Sequence, residues 1–158
     1  MRKKILCIIS LLALAFSMPS MITMETVKAA EEEIVVDGSI LLDDADESTG
    51  EMNPSTKGQY FQNGSSSIGK IGTGKIRVSS TTIAQKKVAT IKAGVMVERL
   101  VNGSWLSYTS WTSTKSNAYS LTTAKEMIVP RGYYYRVRTV HIVNSDKAYS
   151  NTNALLVD

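Results

Sequence analysis

Asn102-Gly103 lies between two segments that alternate apolar and polar residues, 94–101 and 104–111. An Asn-Gly pair readily adopts the two positive φ angles of a type I′ turn, so the stretch is expected to form a tight β-hairpin. With these two residues as the loop, Leu100 faces Trp105, Val97 faces Tyr108, Val95 faces Ser110 and Gly94 faces Trp111. One side of the hairpin then carries Val95, Val97, Leu106 and Tyr108 as candidate core. The other carries Met96, Leu100, Trp105 and Trp111, interrupted by Glu98, Ser107 and Thr109. A tryptophan opposite Gly94 covers backbone that has no side chain of its own. Two roles stay open for Trp105 and Trp111. They pack or shield the sheet, or they form an aromatic platform for sugar rings.

The rest of the body reads the same way. After Met52 the chain is rich in Ser, Thr, Val, Ile and Tyr with glycine punctuation, and lacks long helical periodicity. Strands are expected over residues 75–83, 88–92, 119–123, 127–129 and 133–143. Residues 148–157 should pair back on 133–143 across Asn144-Ser145-Asp146-Lys147. In 133–143, Tyr133, Tyr135, Val137, Thr139, His141 and Val143 share the more apolar parity. Arg136 and Arg138 share the other, where they either solubilise the sheet or contact an anionic ligand. Turn signals recurring roughly every 8–12 residues point to an all-β domain, a single antiparallel β-sandwich of about 7–9 strands.

The N-terminal third differs in kind. Arg2-Lys3-Lys4 precedes an apolar run over residues 5–18, which is shorter than the roughly 20 residues a spanning helix needs. Val27-Lys28-Ala29 provides a cleavage site, so residues 1–29 are expected to be a signal peptide. Its Cys7 is the chain's only cysteine and lies at the wrong end of the run for lipid modification. Residues 30–57 are expected to be a flexible acidic leader, and 58–158 the sandwich domain. Nine acidic residues and no basic one fall between 30 and 52, whereas 53–158 holds 14 basic against 4 acidic residues. Either the leader is merely solvated, or it competes with an anionic polymer for a basic body. Asp44, Asp46 and Ser48 mimic alternate ligands of a calcium loop. The glycine and the closing glutamate that such a loop needs are out of place.

Catalytic parts are sparse. One histidine and no cysteine after residue 29 leave too few ligands for a usual zinc site. His141 has no nucleophile-elbow motif to accompany it, and on an apolar parity it reads as a packed residue. Glu98 and Glu126 are the strand-located carboxylates, with nothing pairing them for glycoside hydrolysis. Gly69-Lys70-Ile71-Gly72-Thr73-Gly74-Lys75 lacks the spacing and the following helix of a phosphate loop. No enzyme activity, cofactor or metal is therefore expected.

Asp37-Gly38-Ser39, Asn63-Gly64-Ser65-Ser66-Ser67-Ile68, Gly74-Lys75-Ile76, Thr82-Ile83-Ala84, Val97-Glu98, Asn102-Gly103-Ser104-Trp105, Asn117-Ala118 and Arg131-Gly132-Tyr133-Tyr134-Tyr135-Arg136-Val137-Arg138 follow in order. Together they resemble an uncharacterised family of small secreted Firmicute proteins, the domain of unknown function numbered 6147. The resemblance implies export from a Gram-positive cell and no particular activity. Residues 129–137 are also similar to a strand entry of immunoglobulin-like and fibronectin type III domains, which favours a sandwich of that kind. The leading expectation is a secreted, non-catalytic binding or envelope-associated module. Arg136, Arg138, Lys86 and Lys87 are candidate contacts for an anionic wall polymer, and Trp105 and Trp111 for a neutral glycan. Neither nucleic acid nor, after cleavage, membrane is expected as a partner. A structural protein associating through sheet edges is the alternative, and a hydrolase the least favoured.

Overall fold

The computed structural model describes residues 33–53 and 58–158, so the expected signal peptide lies outside the described residues. The described chain is all-β. Its nine strands are β1 (Val35–Val36), β2 (Ser39–Leu42), β3 (Glu47–Glu51), β4 (Phe61–Gly72), β5 (Lys75–Val101), β6 (Ser104–Ile128), β7 (Tyr133–Val143), β8 (Asp146–Asn151) and β9 (Ala154–Val157). They form one sheet in the order β1-β2-β9-β7-β5-β4-β3, with β6 added to β5 and β8 to β7. Every pairing is antiparallel except β2 with β9, which run parallel. The sheet is therefore mixed.

Six of the expected short strands merge into two very long ones. β5 has 27 residues and β6 has 25, against a usual ~5–6. They stay paired by bending together. Between Ile83↔Ser120 and Val88↔Ala118 the register jumps, leaving residues 84–87 of β5 against Tyr119 alone. Asn117 beside this bend has φ 53°. Below it, β5 borders β4; above it, β5 borders β7. β4 also packs across β7 and β8 without pairing with them, so the sheet curls until its two halves oppose each other.

The interior has two apolar clusters. Phe61, Ala84, Val88, Ile91, Val143 and Ala148 gather near the bend. Ile68, Ile76, Val78, Val95, Val97, Tyr135, Val137 and Leu155 fill the other end. Between them runs a buried polar belt of Ser66, Ser80, Thr82, Thr139, His141 and Ser150.

The structure corrects three expectations. Asn102 and Gly103 have φ of 50° and 76° and Leu100 does face Trp105, as the type I′ turn requires. A bulge then inserts Tyr108, so Val97 meets Thr109, Met96 meets Ser110, and Trp111 meets Val95 instead of Gly94. The slip turns Trp111 toward the core and leaves Tyr108 at the surface; Leu106 keeps its expected place opposite Arg99 and is exposed as well. A one-residue slip exchanges the two sides of a strand. Second, β2 against β9 breaks the purely antiparallel pattern. Third, the described part of the acidic leader is no loose tail. Residues 35–51 contribute three strands, with Ser39 and Ser48 buried. Asp37 (φ 46°) and Gly38 (φ 74°) turn the β1–β2 hairpin, and β3 pairs with β4 over five residues.

Candidate ligand-binding surface

Strand alternation gives the upper sheet, β6–β5–β7–β8, an inner and an outer side. On its outer side Arg136 is 2% exposed, although its parity suggested a surface position. Its Nε donates to Glu98 Oε2 (2.7 Å), its Nη2 to Asp37 Oδ2 (2.8 Å), and its Nη1 to the Asp37 carbonyl and Ser39 Oγ. The guanidinium also stacks on Trp105, with its carbon 4.2 Å from the ring centroid. The Trp105 indole N–H donates to the Val36 carbonyl (3.1 Å). The β1–β2 hairpin therefore covers both residues. Arg136 lowers the Asp37 pKa from its ordinary 3.8, first by hydrogen bonding and then by charge. In this narrow sense the acidic segment does occupy a basic group of the body.

Of the remaining candidates, Arg138 borders this cluster through Glu98, whereas Trp111 and the Lys86–Lys87 pair lie elsewhere. Trp111 points inward, where it donates to Thr123 Oγ1 (3.0 Å) and lies under the Lys125 ammonium (4.8 Å). Neither tryptophan presents a free ring as a sugar platform. Lys86 and Lys87 are exposed at the bend, Lys86 over Tyr60 (5.7 Å). Arg138 is 45% exposed and lies 3.8 Å from Glu98. From the bend to Arg138 is roughly 25–30 Å of strand.

Beyond Arg136 no described segment covers the outer side, and its register is fixed strand by strand. One row reads Ser110–Met96–Arg138–Asn151, the next Thr112–Gly94–Val140–Tyr149, the third Thr114–Lys92–Ile142–Lys147. Tyr149 is 57% exposed. Lys92 and Lys147 are exposed, and none of the five ion pairs among the described residues involves either. No acidic residue occupies these rows, and the adjacent Glu98 is already engaged by Arg136. Arg138 was the one candidate here that sequence parity found. Lys92, Lys147 and Tyr149 were missed because they become neighbours only through the β5–β7–β8 register.

A match to a family model covers residues 28–156. The chain belongs to the family of unknown function DUF6147. No curated protein matches this DUF6147 member. Among solved structures it is similar to chicken MD-1 in the crystal structure of its complex with lipid IVa, at 11% identity and a TM-score of 0.34. That similarity covers 70% of this chain and 90% of the other. A superposition so loose transfers nothing to this chain.

The buried belt is the other polar constellation. His141 shares hydrogen bonds with Thr82 Oγ1 through Nδ1 and with Ser150 Oγ through Nε2, both 2.7 Å. Ser150 continues to Ser66 (2.5 Å) and Ser66 to Thr139 (2.7 Å). Burial pushes the imidazole pKa down to about 4. A threonine stands where an orienting carboxylate would be needed, and every member of the chain is 0–1% exposed. The arrangement holds neutral imidazole inside the sheet and offers a substrate no approach. Among the described residues no cluster of His, Cys, Asp and Glu forms a metal site.

Proposed function

We propose that this DUF6147 member is an exported, non-catalytic binding module of the cell envelope that holds an anionic wall polymer. The observation that carries the reading is the state of its basic residues. Lys75, Lys86, Lys87, Lys92, Arg99, Lys115, Lys125, Arg131 and Lys147 take part in no ion pair among the described residues. Their charge remains available to a polyanion. Export rests on the basic start, apolar run and cleavage site within residues 1–29. An immunoglobulin-like kinship is supported by Tyr135, whose hydroxyl donates back to the Pro130 carbonyl (2.8 Å), as at a tyrosine corner.

Retention on purified cell wall at low and high salt tests the function. Salt-sensitive retention is expected, because salt screens contacts between exposed charges. Retention that ignores salt would remove the anionic reading.

One observation favours a second reading, association through a sheet edge. β6 pairs only with β5, leaving a 25-residue border. Concentration-dependent self-association without wall retention would select it.

A further inference from the structure

Gly94 sits mid-strand in β5 without a structural reason to be glycine. Its φ is not among the positive ones, and a Cβ built there meets only Thr112 Oγ1, at an ordinary 3.9 Å. Gly50 and Gly64 differ: an added Cβ would collide with the Asn151 carbonyl at the first and come within 3.0 Å of the His141 ring at the second. A glycine inside a strand weakens it relative to alanine, and commonly marks a place where a ligand or another backbone approaches closely. Among the described residues, no segment lies over Gly94 closely enough to use the gap.

We infer that the furrow at Gly94 seats a linear polymer bearing repeated anionic groups and hydroxyls, laid across the strands along the Thr112–Gly94–Val140–Tyr149 row. This rests on the anionic-polymer reading and gives it a site. Successive outer rows are about 6.5–7 Å apart, so the banks of the furrow are the two neighbouring rows. Lys92 and Lys147 stand on one bank and Arg138 on the other. Anionic groups on a thin chain in the furrow meet cations from both sides. Ser110, Thr114 and Asn151 add hydrogen-bonding groups on the banks. Val140 and the exposed Tyr149 supply apolar surface for the carbon skeleton. Glu98, the nearest carboxylate along β5, is shared between Arg136 (2.7 Å) and Arg138 (3.8 Å), so one carboxylate stands against two arginines while Lys92 and Lys147 carry no ion pair, and the furrow keeps a net positive charge.

The test uses purified full-length protein, titrated with glycerol-phosphate polymer, polygalacturonate or neutral dextran, alongside thermal melting. Gly94→Val fills the furrow with a residue that suits a strand. The variant is expected to melt no lower than the native protein and to lose about tenfold or more in affinity for the anionic probe. Lys92→Gln with Lys147→Gln should weaken binding and flatten its salt dependence, while Lys86→Gln with Lys87→Gln should not. Binding of the phosphate polymer alone, the carboxylate polymer alone, or both identifies the anion and supports the site. Native protein that binds a polyanion as well as its Gly94→Val form overturns the furrow and leaves the functional reading standing. No polyanion binding at low salt, or equal binding of dextran, overturns both.

Discussion

Arg136 is held at once by Glu98, Asp37, Ser39 and the Trp105 ring. Removing one partner of a buried ion pair strands the other charge, at a cost of about 3–5 kcal/mol. Arg136→Ala should therefore lower the urea midpoint sharply. Arg138→Ala, which leaves an exposed position, should change stability by less than about 1 kcal/mol. His141 gives a second test at this scale. Its folded pKa of about 4 lies below the ordinary 6.5, so the unfolded chain binds the proton first. Stability should fall as pH drops from about 6.5 to 4, by roughly 3 kcal/mol, and this contribution should level off below that. His141→Gln should flatten the pH dependence in that window. The Asp37 contribution has the same sign but a different window, because its lowered pKa delays its loss until below about 3.8.

The long strands owe their shape to irregularities that periodicity does not announce. The hairpin turn, the type I′ φ angles and the inward parity of β7 were legible because each depends on neighbours in sequence. The Tyr108 bulge was not, since a single inserted residue leaves alternation intact on either side of it. The bend at 84–87 reads as ordinary polar chain, Ala84-Gln85-Lys86-Lys87. Asp37-Gly38 carried the same turn signal as Asn102-Gly103, between Val35-Val36 and Ile40-Leu41-Leu42. The surrounding carboxylates hid it, and the strands it joins were read as leader. β3 shows how closely these elements fit. At Gly50 its backbone presses on the Asn151 carbonyl, while Ser48 Oγ accepts the Asn153 N–H at 3.0 Å. Gly50→Ala should release β3 from the β8–β9 junction and destabilise the protein by about 3 kcal/mol or more. Hydrogen exchange should show Thr49 and Glu51 losing protection first.

At the scale of the whole molecule, composition found an all-β domain but misplaced its boundary. The described part of the acidic segment supplies β1–β3 and caps Arg136, so a chain beginning at residue 53 should unfold at much lower urea than one beginning at 33. Limited proteolysis should likewise fail to strip residues 35–51 from a folded body. β5 joins the halves of the sheet, since β4, β6 and β7 all pair with it. Melting followed by tryptophan fluorescence and by far-ultraviolet circular dichroism should therefore superimpose. Two separate transitions would show that the halves come apart independently.

The parallel pairing of β2 with β9 also sets an order in time. Beyond their hairpin with β1, Leu41 and Leu42 take their register from Ala154 and Leu155. A ribosome delivers the chain N-terminus first, at about 5–20 residues per second, so the earliest strands wait several seconds for the last. During that wait Asp37 has no arginine and Ser39 has no Thr152 carbonyl to bond. The sheet edge can close only once β9 is present, so the joining of the earliest described strands to the latest is the step that locks the Asp37 and Ser39 contacts in place.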